Sequence, residues 1–130
     1  MTSLLWCLVF ALVTPYVPYL GVFAVKFRQG YDNHLPREQS ARLEGWPKRA
    51  FAAHQNGFEA LPQIIVAALV AHVAGVDSDA ASHLAIGWIL ARVAYSFAYI
   101  ADMPLLRSTL WTLAVLCVLA LIVLTVVSTS

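Results

Sequence analysis

Four long apolar blocks restrict this chain to one kind of fold. A helix needs roughly 20 predominantly apolar residues to cross a bilayer, and every block reaches about that length. The chain has 130 residues, 61% hydrophobic and 12% charged, so it is too short to hide all four blocks from water. The sequence therefore predicts an all-α integral membrane protein, a four-helix bundle that residues 1–130 form as a single domain. The blocks are about Leu4–Phe27, Pro47–Ala74, Ala81–Ala101 and Arg107–Val127.

The basic residues predict how the bundle is oriented. Six of the eight Lys and Arg residues lie in or beside the loop between the first two blocks, whereas residues 75–80 contain two acids and no base. Because cytoplasmic loops carry an excess of Lys and Arg, we expect loop 28–46 in the cytoplasm and both termini outside. The bases lie at a membrane face and are balanced by acids, which argues against a nucleic-acid partner. They are Lys26, Arg28, Arg37, Arg42, Lys48 and Arg49.

Two prolines three residues apart, Pro15 and Pro18, are expected to kink the first helix. The kink either opens a lateral groove or is a harmless bend that neighbouring helices satisfy. In the polar loop that follows, residues 37–43 are expected to form a short interfacial helix. Cys7 and Cys117 both lie in predicted spans, where buried small hydrophobic side chains explain them better than a disulfide or a metal site.

The second block carries a polar stripe. Arg49, Asn56, Glu59 and Gln63 fall within about 80° of one another on a helical wheel. Ionisable side chains inside a membrane helix are costly, and they usually face the protein interior or a water-filled cavity. We therefore interpret this stripe as one wall of a functional site.

The third block supplies a second polar face, which consists of Arg92, Tyr95, Ser96 and Tyr99. At 1.5 Å per residue, Glu59 and Arg92 both lie about 15 Å from the cytoplasmic face. An unpaired charge at that depth costs at least about 2.5–3.5 kcal/mol, so we expect these two residues to form an ion pair. Such a pair can be purely structural, but the additional polar side chains around it favour a functional site.

Together these motifs resemble the MAPEG family, membrane-associated proteins in eicosanoid and glutathione metabolism. Residues 49–62 read R-A-x-x-A-H-x-N-x-x-E-x-x-P, residues 91–99 read A-R-V-A-Y-S-F-A-Y, and Arg107 opens the fourth block. The loop motif Y-D-N-x-x-P-R at residues 31–37 and the short length are similar to bacterial members. The resemblance covers nearly the whole chain and implies a homotrimer in a bacterial inner membrane.

The resemblance also implies a ligand. Glutathione, as co-substrate, is expected between neighbouring subunits near the cytoplasmic face. Arg107 matches the arginine that stabilises the thiolate, a catalytic role, since a fixed cation lowers the pKa of a thiol from about 8.5. Ala52 and Gln55 stand where some members carry arginine. The implied glutathione-binding residues are Arg28, Arg49, Asn56, Glu59, Arg92, Tyr95 and Tyr99, with no metal ligand among them.

Two residues near these motifs keep more than one interpretation. Lys26 is expected either to snorkel into lipid headgroups, the commoner fate of such a lysine, or to reach an anionic ligand. His54 lies off the polar stripe. We expect it either to contact the ligand, to pack at an interface or to bond to a neighbouring helix.

Three functions remain open on the sequence alone. One is a transferase or peroxidase that uses glutathione on lipophilic electrophiles or lipid hydroperoxides, with membrane lipid delivering the second substrate sideways. Another is a non-catalytic trimeric module that binds a lipid or a protein partner. Arg107 separates these two, because only the enzyme needs a cation within reach of a thiol. A proton or ion path through Glu59 is the third, but beyond Gln63 the second block offers only His72 as a polar step.

Overall fold

The computed structural model describes residues 2–130, and within that range it contains helices and no strand. Four segments of this range are long and apolar enough to cross a membrane: Ser3–Arg28, Gly45–Val73, Asp79–Ile100 and Pro104–Thr129. The predicted four-helix membrane bundle is therefore confirmed. In chain order the helices are α1 (Ser3–Val13), α2 (Tyr16–Arg28), α3 (Pro36–Ala41), α4 (Gly45–Val73), α5 (Asp79–Ile100) and α6 (Pro104–Thr129).

The first span is broken at Pro15, between α1 and α2. Proline has no N–H to continue the helical ladder, and the neighbouring Thr14 hydroxyl donates to the carbonyl of Ala11 at 2.8 Å. The carbonyl of Pro15 lies 2.9 Å from Nδ1 of His54 on α4. Gly57 packs so close that a Cβ there would come within 2.9 Å of the Pro15 side chain. The helix is thus interrupted where the prolines predict a kink, and the interruption packs against α4.

Small side chains bring α4 close to its neighbours. Alanine and glycine dominate its buried face, a composition that lets membrane helices approach one another. Trp88 of α5 fills the centre of the core and is 1% exposed. The outer surfaces of the bundle carry large exposed apolar side chains, such as Leu20 and Val127, as expected of a surface that faces lipid. The small buried residues of α4 are Ala50, Ala53, Gly57, Ala67, Ala68 and Ala71.

A tight turn of three residues connects α5 to α6. The amide of Asp102 donates to the carbonyl of Tyr99 at 3.2 Å, and the amide of Met103 donates to that of Ala98 at 2.9 Å. This pair of bonds is the Schellman motif, which places the residue after the helix in the left-handed region, and Asp102 has a φ of 59°. Pro104 then opens α6, where its missing N–H is not needed. The turn thereby fixes where α6 begins relative to the end of α5.

Lys26 holds the loop between α2 and α4. Its side chain is 1% exposed, and Nζ donates to the Pro36 carbonyl at 2.7 Å and to the Ser40 hydroxyl at 2.8 Å. The ammonium also lies 5.2 Å from the centre of the Tyr31 ring. The expectation that Lys26 snorkels into lipid headgroups is therefore wrong, because α3 folds back over it. The helix predicted at residues 37–43 is confirmed as α3.

Candidate functional site

Two polar cavities lie between α4, α5 and α6, and Asn56 lines both. The outer polar cavity, about 520 Å³, is formed with Tyr95 and Tyr99 of α5 and Arg107 of α6. The inner polar cavity, about 200 Å³, has walls that include Glu59 and Arg92. The second and third spans therefore do bring their polar faces together, as the helical wheels predict.

An apolar groove of about 770 Å³ continues from the polar cavities along α4 and α6. It shares Gln63 and Val115 with the inner polar cavity, and the Trp111 side chain lines both polar cavities and the groove. Beyond Trp111 the groove is almost wholly apolar. The hydroxyl of Thr125, near its far end, donates to a carbonyl of its own helix. A polar site and an apolar surface thus meet at one aromatic side chain.

Asn56 links Glu59 to Arg92. Nη2 of Arg92 donates to Oδ1 of Asn56 at 2.9 Å, and Nδ2 of Asn56 donates to Oε2 of Glu59 at 3.2 Å. The expected direct ion pair between Glu59 and Arg92 is therefore wrong, since the amide lies between the two charges. Arg92 is 3% exposed, and its Nη1 is buried without a hydrogen-bond partner in the structure. The site therefore presents one buried charged donor that the described chain does not satisfy.

Each arginine of the polar cavities stacks on a tyrosine. The Arg92 guanidinium lies 4.2 Å from the centre of the Tyr95 ring, and that of Arg107 lies 4.6 Å from the centre of the Tyr99 ring. The two rings meet edge to face at 5.7 Å between centroids. Arginine is attracted to the face of an aromatic ring, more strongly when water is excluded. The tyrosines of the outer cavity therefore hold Arg107 in its wall and Arg92 in the wall of the inner cavity.

Arg49 lies at the edge of this cluster and already has partners. Its Nε donates to the carbonyl of Ile100 at 3.0 Å, and its Nη1 is 3.9 Å from Oδ2 of Asp102. The side chain is 33% exposed. Arg49 thus contacts the end of α5, whereas Asn56 and Glu59, further along the same stripe, line the cavities.

The structure does not join Arg28 to the other predicted site residues within one chain. It is exposed at the end of α2, on the part of the molecule that packs against α3 and α4. His54 bonds to the Pro15 carbonyl and packs against Tyr19, with 4.4 Å between ring centroids. Of the alternatives left open for His54, the structure shows a bond to the segment that joins α1 and α2.

Trp111 was missed as a site residue, although the sequence contains a signal for it. It follows Arg107 by four residues, and residues at that spacing share one face of a helix. The stripe continues through Val115, Val118 and Ile122, which all line the apolar groove. One face of α6 therefore extends from Arg107 in the outer polar cavity to the far end of the apolar groove.

The chemistry of the site suits a ligand that carries both signs of charge. Two guanidinium groups offer donors to carboxylates or to a thiolate, and the exposed Glu59 offers an acceptor to an ammonium. Within residues 2–130, no three His, Cys, Asp or Glu side chains come together as metal ligands.

The model of the MAPEG family matches residues 3–127, which takes in every helix except the last two residues of α6. No curated protein and no solved structure matched the chain.

Proposed function

Because the chain belongs to the MAPEG family, we propose that it is a membrane-bound glutathione-dependent transferase or peroxidase. Its second substrates are lipophilic electrophiles or lipid hydroperoxides. The family comprises membrane proteins of eicosanoid and glutathione metabolism, and the four spanning helices make this chain an integral membrane protein.

One observation carries the proposal, namely that the polar cavities and the apolar groove meet at Trp111. A hydrophilic thiol and a lipophilic electrophile need environments of opposite polarity, yet their reacting atoms must come within about 3–3.5 Å. A junction between such environments meets both needs. The groove runs along α6 from Trp111 to Val126, so it begins one helical turn after Arg107.

The charges of glutathione match the groups that the cavities offer. Its two carboxylates are suited to guanidinium forks, and Arg92 retains a buried Nη1 without a partner. Its ammonium is suited to Glu59. Asn56, Tyr95 and Tyr99 supply further polar groups along the outer cavity. We assign Arg28 to a carboxylate of glutathione held against a neighbouring copy, because its own chain does not bring it to the cavities.

Arg107 is the proposed catalytic residue, since it would stabilise the glutathione thiolate. In the transferase reaction the thiolate sulfur forms a bond to the electrophilic carbon, the leaving group departs with its electron pair, and the thiol proton goes to solvent. In the peroxidase reaction sulfur attacks the outer peroxide oxygen and the O–O bond breaks, which gives an alcohol and a sulfenic acid. A second glutathione reduces that acid to water and the disulfide.

We also propose that three copies form a ring. Glu59 and Arg92 need protein around them within the membrane, while the polar cavities are open on one side of α4. A further cavity, of about 680 Å³, lies on the other side, between Lys26, His54 and Phe58. Two different open faces suit a head-to-tail interface, and such an interface forms a ring where the rotation between copies closes. The proposed location is a bacterial inner membrane with loop 28–46 in the cytoplasm.

Glutathione binding and turnover test this function directly. Calorimetry on the purified protein in detergent should show glutathione binding, and chlorodinitrobenzene should be conjugated. Arg107→Ala should lower turnover about 100-fold, the usual cost of removing one preorganised group that stabilises the transition state, while glutathione affinity falls less than about tenfold. Arg107→Lys should recover only part of the rate, because lysine is a point charge on a different stem.

Arg42→Ala is the matched control, since Arg42 is exposed and its guanidinium forms an ion pair with the exposed Glu38 at 3.4 Å, away from the polar cavities. It should turn over like the parent. Equal turnover by Arg107→Ala and the parent would refute the catalytic assignment. A parent that neither binds glutathione nor ionises its thiol would favour the non-catalytic trimeric module instead.

A further inference from the structure

The Arg49 guanidinium spans from α4 to the end of α5. It makes two contacts in different directions, from Nε to the Ile100 carbonyl at 3.0 Å and from Nη1 to the Asp102 carboxylate at 3.9 Å. The last carbonyls of a helix lack intrahelical donors and carry the negative end of its dipole. A basic side chain there supplies both a donor and a compensating charge.

Arg49 donates to a carbonyl that accepts no hydrogen bond from the amides of the α5–α6 turn. The amides of residues 101–103 take the carbonyls of Phe97, Tyr99 and Ala98, at 2.9, 3.2 and 2.9 Å. Ile100 is the last residue of α5, and its carbonyl accepts from Arg49. Asp102 is the left-handed residue of the same turn. Arg49 therefore ties both parts of the α5–α6 turn to α4.

This turn determines where Arg107 lies. The Arg107 amide donates to the Met103 carbonyl at 2.9 Å and so forms part of the first turn of α6. Its guanidinium stacks on Tyr99, which lies in the last turn of α5. The two members of this stack are therefore on opposite sides of the turn that Arg49 holds.

We propose that Arg49 is a positioning residue, which places the Arg107 guanidinium in the outer polar cavity by holding the α5–α6 turn against α4. This role rests on the proposed function, in which Arg107 stabilises a thiolate. It differs from the carboxylate-binding role that the sequence resemblance implies for Arg49. The position requires arginine in particular, because a forked guanidinium reaches two acceptors in two directions and a lysine ammonium is a single point charge.

Steady-state kinetics with glutathione and chlorodinitrobenzene separate the two roles. Arg49→Met should lower kcat about 10- to 100-fold, as the loss of one charge-assisted hydrogen bond that orders the turn would. The KM for glutathione should change less than about threefold, and Arg49→Lys should fall between parent and Arg49→Met. Lys48→Ala is the matched control, because it removes a positive charge from the adjacent exposed position. It should behave like the parent.

Hydrogen exchange in detergent tests the clamp without any substrate. Arg49→Met should speed exchange of the Asp102 and Met103 amides, whereas Lys48→Ala should not. Asp102→Gly should lose less activity than Arg49→Met, since glycine adopts the left-handed conformation freely and the shorter bond, to Ile100, is kept.

The outcomes are distinguishable. Unchanged exchange at the turn in Arg49→Met overturns the clamp. A raised KM with an unchanged kcat overturns the positioning role and makes Arg49 a ligand residue. If the parent turns over neither chlorodinitrobenzene nor a lipid hydroperoxide with glutathione while the exchange difference is present, the proposed function fails together with the positioning role, and the clamp alone stands.

Discussion

Replacing Asn56 with leucine should destabilise the protein by about 2–4 kcal/mol, since two bonds are lost. The bond from Arg92 at 2.9 Å involves a charged donor on a side chain that is 3% exposed, and such bonds contribute about 1.5–3 kcal/mol. The bond to Glu59 at 3.2 Å is exposed and adds less than about 1 kcal/mol. Without the Asn56 acceptor, Nη2 of Arg92 would lose its hydrogen-bond partner. Nη1 has no partner even in the parent.

A double-mutant cycle measures this arrangement through the free energy of unfolding in mixed micelles. Arg92→Met removes the stranded charge, so the double variant should lose less stability than the sum of Asn56→Leu and Arg92→Met. The coupling between Asn56 and Arg92 should be about 1.5–3 kcal/mol. The coupling between Glu59 and Arg92 should stay below about 1 kcal/mol, because Glu59 is exposed and the amide separates the two charges.

Gln55→Leu is the matched control for Asn56→Leu. Gln55 is the adjacent amide on α4, it is exposed, and its side chain makes no hydrogen bond within residues 2–130. It should change stability by less than about 0.5 kcal/mol. A larger coupling for Glu59 and Arg92 than for Asn56 and Arg92 would refute the reasoning, since it would show that the two charges contact each other directly.

Two further predictions concern packing, one within the chain and one between copies of it. Gly57→Ala should cost about 1–3 kcal/mol by overpacking, because its Cβ would lie 2.9 Å from the Pro15 side chain and 3.0 Å from its Cα. Gly87→Ala, whose Cβ would lie 3.3 Å from a flexible Cys117 side chain, should cost less; the reverse order in the same unfolding assay would contradict this account of the bend. Cross-linking in native membranes should give a trimer, and monomer alone would argue against the ring.

The sequence was sufficient to predict the spans and the faces that meet. Block length and the absence of charge determine a membrane helix almost alone, so the four segments agree with the predicted blocks. Helical periodicity likewise placed Asn56 and Glu59 on one face of α4 and Arg92 and Tyr95 on one face of α5. These properties depend on backbone geometry, which a periodic pattern encodes directly.

The sequence was not sufficient to predict which side chains bond. Depth and wheel angle matched Glu59 with Arg92. Asn56 lies within one helical turn of Glu59, however, and it is Asn56 that accepts the hydrogen bond from the Arg92 guanidinium. A rotation of a few degrees or a different rotamer decides between two such neighbours, and neither is visible in a pattern. Lys26 shows the same limit, since its burial depends on α3 folding back and not on its own position near a helix end.

The unpartnered Nη1 of Arg92 connects the stability of the fold to its site. Among residues 2–130 no other buried side-chain nitrogen or oxygen lacks a partner; Lys26, for example, bonds to Pro36 and Ser40, and Thr125 to Leu121. A buried charged donor without a partner costs about 1–3 kcal/mol or more, and here it lies in the wall of a cavity large enough for solvent or part of a ligand. A carboxylate bound there would recover that free energy in the folded state alone, and binding to the folded state alone stabilises it. The affinity of this site for a ligand and the free energy of unfolding of the bundle would therefore both depend on Nη1 of Arg92.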